Sequence, residues 1–327
     1  MTNFTYADGI RQAIAEEIER DPSVFVIGED VGESGGVFGV TKGLWDRFGT
    51  NHLWDTPISE EGIVGAAVGA ALVGGKPIVE IMFGDFSFLA MDMIVNQAAK
   101  THYMTGGNLS VPMVVRMVTG TAGSTGAQHS QSLEAFFTQV PGLKVVAPST
   151  AEDAKGLLIS AIRDPDPVIF FEHKGLYVGR GGPAGDVVKV DPIPMGVGKI
   201  VREGSDVTIV SYLKTLEYAH KAADELAAEG ISCEIFDPRT LVPFDRAGLR
   251  ASLEKTGRLL IAHEAPTRGG FGAEIAAFAA EDCFELLRAP IVRVGARNTP
   301  IPYAPIMEKY TLPGVTRIAE EVRKLVK

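Results

Sequence analysis

Ile10, Ile14 and Ile18 recur at four-residue intervals after Thr5-Tyr6-Ala7-Asp8. That spacing predicts an amphipathic helix opened by a capping box. Asp21-Pro22-Ser23 ends it, and Val24–Ile27 follows as a short unbroken apolar run, the mark of a strand buried on both faces. The same alternation continues downstream. Apolar runs at Ile78–Met82, Met113–Val118, Lys144–Ala147 and Val168–Phe171 predict strands. Helical periodicity at Ile63–Val73, Phe88–Tyr103 and Ala151–Arg163 predicts helices, the last opened by a second box, Thr150 with Asp153. Residues 179–198, rich in Gly and Pro, interrupt the pattern. Alternation then restarts, with strands at Val207–Tyr212, Cys233–Phe236, Leu259–His263 and Ile291–Val294. Helices are predicted at Leu216–Ala228, Ala273–Leu287 and Arg317–Val326. Alternating strands and helices predict α/β architecture: two parallel-sheet domains with helices on both faces. The break divides them into domain 1–185, linker 186–198 and domain 199–327.

Composition narrows the function. The chain has 327 residues, room for two ordinary domains, with 46% hydrophobic and 22% charged residues. Its net charge of −10, from 31 Lys+Arg against 41 Asp+Glu, argues against a nucleic-acid-binding face. The longest apolar stretch, Ile63–Gly75, is shorter than the ~20 residues a bilayer requires, so no membrane span is expected. The N-terminus reads as neither a signal nor a transit peptide. Cys233 and Cys283 give no disulfide framework and no CxxC motif, and they read as core thiols in a reducing, cytoplasmic compartment.

Ligands of open parallel sheets bind beyond the carboxyl ends of strands, so chemistry is sought in the loops that follow strands. Gly28–Gly36 and Gly269–Gly272 are glycine-rich, but neither has dinucleotide-site spacing, and both read as tight turns or close packing. Asp55-Thr56-Pro57-Ile58-Ser59-Glu60-Glu61 leads into an apolar helix. Ser59 and the glutamates suit a helix N-terminus, yet the same carboxylates could stand at a cleft rim. The small-residue loop Thr121–Ser132 carries His129, either a satisfied loop histidine or a group placed for proton transfer. His173 and His263 close strands and could line a cleft. No histidine pair has metal-ligand spacing.

The ordered blocks are distinctive. They include GEDV at 28–31, DTPISEEGIVGAAVGAA at 55–71, VEIMFGDF at 79–86, AQHSQSLEAFF at 127–137, PGLKVVAPST at 141–150, KTGRLLIAHEA at 255–265 and GGFGAEIA at 269–276. Over nearly the whole chain the sequence resembles the beta subunit of the thiamine-diphosphate-dependent dehydrogenase component of 2-oxoacid dehydrogenase complexes, in its pyruvate or acetoin form. The resemblance implies domains like the pyrimidine-binding and C-terminal domains of transketolase. It implies that Glu60 hydrogen-bonds the aminopyrimidine of the cofactor, that Ile58, Met82 and Phe86 flank that ring, and that His129 is the active-site histidine near the substrate oxygen. It also implies a monovalent-cation (K+) site at backbone oxygens of Met113, Ala161, Asp164 and Asp166.

The sequence contains no GDG motif, which in this family begins the Mg2+-diphosphate site. The resemblance therefore implies that an alpha subunit supplies Mg2+ and the diphosphate half, in an α2β2 heterotetramer that passes acyl groups to a lipoyl acyltransferase core. The chain's length, below that of a complete transketolase, carries the same expectation. Gln128-His129-Ser130-Gln131 is closer to pyruvate and acetoin types than to branched-chain types. Glu172-His173-Lys174 with Tyr177 is acetoin-like, while Met117–Ser124 departs from both. Two alternatives stand beside this reading: the C-terminal half of a split transketolase acting on sugar phosphates, and a non-catalytic docking subunit, against which the joint presence of Glu60 and His129 speaks.

Overall fold

A computed structural model describes residues 4–177 and 186–327. The expected domain boundary at 185 and part of the expected break lie outside the described residues. The chain forms two compact units. The first is 1–119 with 136–195, and the second is 120–135 with 196–327. Residues 120–135, which the sequence pattern leaves inside the first domain, thus group with the second unit.

In chain order the elements up to residue 177 are α1 (Tyr6–Arg20), β1 (Val24–Gly28), α2 (Leu44–Phe48), β2 (Leu53–Asp55), α3 (Glu60–Leu72), β3 (Lys76–Ile81), α4 (Ala99–Met104), β4 (Val114–Thr119), α5 (Glu134–Thr138), β5 (Lys144–Val146), α6 (Ala151–Arg163) and β6 (Val168–His173). The division between units passes through α5. Among the described residues the first unit's strands pair in parallel, in the order β5-β6-β4-β3-β1-β2. Every residue of β1, β4 and β6 is buried, as a sheet covered on both faces demands.

Both predicted capping boxes have local support. Thr5 accepts from the Asp8 N–H while Asp8 accepts from the Thr5 N–H. Thr150 accepts from the Asp153 N–H. Helices α1 and α6 pack together, and Arg163 pairs with the buried Glu17 at 2.6 Å. Residues 186–195 lie along these helices, since Gln12 accepts from the Val188 N–H and the Ile193 N–H donates to Gly156 O.

The helix expected over Phe88–Tyr103 is not continuous. Gly84–Ala90 is a 3-10 helix, Met93–Ala98 is a π-helix, and only Ala99–Met104 is α-helical. The wide turn brings Asn96 and Gln97 within 2.6 and 3.3 Å of the Asp92 carboxylate, a pairing that helical periodicity does not encode. Ser59 occupies the N-cap position of α3 but makes no capping side-chain bond, which corrects that part of the cap reading.

The second unit contains β7 (Lys199–Arg202), β8 (Val207–Ser211), α7 (Thr215–Ala227), β9 (Cys233–Asp237), β10 (Thr240–Val242), α8 (Arg246–Thr256), β11 (Leu259–Pro266), α9 (Gly272–Asp282), β12 (Val292–Ala296), α10 (Pro305–Thr311) and α11 (Val315–Leu325). Its five-stranded sheet runs β12-β11-β8-β9-β7. Four strands are parallel and the edge strand β7 is antiparallel to β9, so this sheet is mixed. Helices α7 and α11 share one core with Ile209, Ile235 and Val294. Cys233 and Cys283 are free and buried. No helix among the described residues is long and apolar enough to cross a membrane.

Candidate active site

In the first sheet the chain goes from β1 outward to β2, then returns past β1 to β3. The order of strands therefore reverses between β1 and β3, and a ligand crevice is expected beyond their carboxyl ends. The loops that leave these ends are tied together. The Thr56 N–H donates to Gly28 O at 3.0 Å, and the Gly32 N–H donates to the Asp55 carboxylate at 2.7 Å. A side chain at position 32 would place its Cβ 2.5 Å from Asp55 Oδ2, so glycine is required there.

The turn Asp55–Ser59 delivers Glu60 to the first turn of α3. Glu60 is 6% exposed, whereas Ile58, two residues earlier, is 83% exposed. Glu29 stands at the end of β1, and its carboxyl is raised above the usual range by burial first, then by the negative charges of Glu60 and Asp30. Two carboxylates thus face one another at this crevice. Glu29 was not singled out among the candidate residues, although it sits in the GEDV block.

Met82 and Phe86 follow β3, and both are half-buried. Phe86 packs edge-on against Phe83, with centroids 5.6 Å apart. Within the same sheet a buried ionic group is paired. Arg116 on β4 reaches Glu80 on β3 at 2.7 Å and Glu172 on β6 at 2.6 Å, and Tyr177 donates to Glu172. Burial opposes the Arg116 charge, but the Glu172 and Glu80 carboxylates outweigh it and hold the guanidinium charged.

A carboxylate beside an exposed aliphatic group, a flexible thioether and an aromatic face suits a flat, apolar, nitrogen-containing ring. The structure places Ile58, Glu60, Met82 and Phe86 in the same unit, after β2 and β3, the two strands that flank β1. His129 belongs to the second unit, half-buried in the loop of the 120–135 segment.

His173 and His263 do not line an open cleft. His173 is buried and its Nδ1 accepts the Gly175 N–H at 3.0 Å. His263 is buried beneath the glycine turn at the start of α9: a Cβ at position 272 would lie 2.4 Å from its Nε2. Burial lowers its pKa to about 4, the nearby Arg293 charge adding to the effect.

At the expected cation site, Met113 O accepts from the Val168 N–H and Ala161 O from the Asp164 N–H. Each carbonyl keeps a second lone pair. Lys144 bridges the Asp164 and Asp166 carboxylates at 2.6 and 3.3 Å.

Comparison with known proteins agrees with this architecture. Residues 2–179 match the family model "Transketolase, pyrimidine binding domain", and residues 196–318 match "Transketolase, C-terminal domain". A solved structure titled "Split gene transketolase, inactive beta4 tetramer" superposes with a TM-score of 0.79, covering 99% of this chain and 98% of that one. At 23% identity it speaks for the fold. The fold is thus of transketolase type.

Relatives define the branch. The Arabidopsis thaliana protein "Pyruvate dehydrogenase E1 component subunit beta-1, mitochondrial" is 46% identical, covering 98% of this chain and 89% of that one. The Rickettsia bellii protein "Pyruvate dehydrogenase E1 component subunit beta" is 45% identical over 98% of each. The Cupriavidus necator protein "Acetoin:2,6-dichlorophenolindophenol oxidoreductase subunit beta" is 47% identical, covering 97% of this chain and 96% of that one. The chain belongs to the family of these dehydrogenase E1 beta subunits.

Proposed function

We propose that the chain is the beta subunit of a thiamine-diphosphate-dependent pyruvate or acetoin dehydrogenase. It cleaves its substrate and passes the acyl group to a lipoyl acyltransferase, and it is active only with an alpha subunit, in an α2β2 assembly. The observation that carries this reading is the buried Glu60 carboxylate at the reversal of the first sheet, in a chain 45–47% identical to such subunits over its length. Bound thiamine diphosphate supplies a carbon nucleophile that adds to a carbonyl and takes up the electron pair released on cleavage.

This chain's residues prepare that chemistry. Glu60 holds a proton at a ring nitrogen of the aminopyrimidine, which favours the ring's basic tautomer. The nearby Glu29 carboxyl is raised by burial and by the negative charges of Glu60 and Asp30. Phe86 offers a face to the ring, while Ile58 and Met82 exclude water from its edges. His129 moves a proton at the substrate oxygen.

The domain spanning residues 1–185 holds the aminopyrimidine, and residues 199–327, after the linker 186–198, form the assembly domain. The alpha subunit brings Mg2+ and grips the diphosphate. Met113, Ala161, Asp164 and Asp166 offer backbone oxygens to K+. Two buried free thiols suit a reducing cytoplasm.

The test is reconstitution with an alpha subunit of the family. Turnover of pyruvate, acetoin, branched-chain 2-oxoacids and sugar phosphates is followed with a dye acceptor. Activity on pyruvate or acetoin is expected, with Glu60→Ala lowering kcat by roughly 100-fold or more. Undiminished turnover by Glu60→Ala, or turnover of sugar phosphates alone, overturns the reading.

A further inference from the structure

The second sheet repeats the reversal of the first. The chain leaves β8 for β9 on one side, then crosses back to β11 on the other, so its crevice opens between the carboxyl ends of β8 and β11. The groups there are Tyr212, directly after β8, and His263 and Glu264 on β11. The rings of Tyr212 and His263 are nearly parallel, with centroids 6.2 Å apart.

The chain's own segment 120–135 occupies this place. The Thr121 N–H donates to Glu264 Oε1 at 2.6 Å, and both residues are 7% exposed. At the other end of the segment Glu134 is 2% exposed, and neither its Oε2 nor the Tyr212 hydroxyl finds a partner among the described residues. Glu134 lies close enough to Glu264 and Tyr212 for the charges to be felt. Burial, opposed by its backbone N–H and aided by Glu264, pushes the Glu134 carboxyl up to about 7, and Tyr212 is raised by burial and by Glu134.

Between these anchors the segment is a closed loop. The Gly120 N–H donates to Gln131 O at 3.1 Å across its neck. Near its tip Thr125 Oγ1 donates to His129 O at 3.1 Å and shares a 2.7 Å bond with Ser130 Oγ. Gly120, Gly123, Ser124 and Gly126 all have positive φ, which sets the loop's path. The Thr125 hydroxyl thus ties the backbone of His129 within the tip, and Glu264 holds the base of the neck from which that tip projects.

From this we infer that Glu264 is a positioning residue for the reaction: its carboxylate, at the strand reversal of the second sheet, clamps the neck of the loop that carries His129. The assignment of a catalytic role to His129 belongs to the proposed function, and the clamp's consequence for turnover rests on it. A charge-assisted bond to a buried backbone N–H is among the stronger hydrogen bonds of a protein. Two carboxyl groups in one buried neighbourhood do not both ionise readily. Glu264 carries the backbone bond, and burial together with the nearby Glu264 raises the Glu134 carboxyl.

The experiment uses the reconstituted alpha–beta enzyme with pyruvate and with acetoin, and dichlorophenolindophenol as acceptor. Glu264→Ala, Glu264→Gln, His129→Ala and the double variant Glu264→Ala/His129→Ala are compared, and amide hydrogen exchange is followed over residues 120–135. Glu264→Ala is expected to speed exchange in this segment by roughly tenfold or more while other regions hold. It is expected to lower kcat by roughly 10- to 100-fold with KM little changed. Glu264→Gln, whose amide oxygen still accepts from Thr121, recovers most of both. The double variant is no slower than His129→Ala alone, because the clamp acts through the histidine.

Unchanged exchange in Glu264→Ala overturns the clamp. Accelerated exchange with additive kcat losses overturns its link to His129. Full activity of His129→Ala instead defeats the role proposed for that histidine, and the exchange result then still decides the clamp. If Glu264→Ala does not fold, Glu264→Asp, which withdraws the carboxylate by one methylene, gives the same readouts.

Discussion

The two units reverse strand order in the same way and treat the resulting crevice oppositely. Beyond β1 and β3 the first unit presents a buried glutamate, an exposed isoleucine and half-buried Met82 and Phe86. Within the same sheet, every charge of the Arg116–Glu80–Glu172 group is paired. Beyond β8 and β11 the second unit carries its own chain, residues 120–135. Its buried polar groups are less evenly matched: Glu264 is bonded, while Glu134 Oε2 and the Tyr212 hydroxyl find no partner among the described residues. One fold thus makes two crevices that differ in how their charged groups are matched: by ion pairs around Arg116 in the first unit, and by a backbone N–H at Glu264 in the second. A saturated ionic group resists movement. A neighbourhood with a raised carboxyl responds to pH.

Arg116→Met should break the contrast most severely. It strands two buried carboxylates on β3 and β6, and removal of one partner from a buried pair costs about 3–5 kcal/mol. Denaturant unfolding of the full chain should show that loss. A loss under about 1 kcal/mol would mean that the first unit tolerates unpaired charge as the second does.

Glu134→Gln tests the second unit. Glu134 has a folded pKa of about 7 against an ordinary 4.5, so between those values the folded chain holds a proton that the unfolded chain has released. Its neutral burial is free of penalty below pH 4.5, and stability falls as pH rises through the window to about 7. The variant should escape this decline, a difference on the order of 3 kcal/mol when unfolding is compared across the window. His263, lowered to about 4, acts with the opposite sign, losing stability as pH falls from 6.5. Measuring the variant against the parent at each pH cancels that contribution. Equal slopes in the two proteins would place Glu134 in an environment no different from solvent.

The smallest effect should come from Gly272→Ala. The new Cβ would meet His263 Nε2 at 2.4 Å, and the forced shift of a buried ring should cost about 1–3 kcal/mol. Thermal unfolding should register it. A neutral result would show that the imidazole has room to retreat.

The local grammar of the chain was readable. Thr5 with Asp8 and Thr150 with Asp153 announce their helices because a capping bond spans only three residues. Strands such as Val24–Ile27 and Met113–Val118 declare themselves by composition, since both their faces are buried. Phe88–Tyr103 is not one α-helix, and apolar spacing does not distinguish 3-10, α and π turns, whose differences lie in backbone hydrogen bonding.

The site was partly legible. The carboxylate before an apolar helix and the histidine among small residues both stood out, and family resemblance gave them roles. Glu29, Glu134, Tyr212 and Glu264 did not stand out. Their importance comes from neighbours far away in sequence: Thr121 and Glu264 are 143 residues apart. Glu172 and Tyr177 stand out only by resemblance, and their pairing with Arg116 and Glu80 is hidden because Glu80, Arg116 and Glu172 lie on three separate apolar strands.

That 143-residue separation has a consequence during synthesis. The His129 loop leaves the ribosome long before β11, which carries its anchor. At roughly 5–20 residues per second, translation leaves the loop without its carboxylate for about 7–30 s. A nascent chain caught in that interval would have strands β1 to β6 available and an unmoored loop, so the order of assembly delays fixing the histidine until the second sheet has been made.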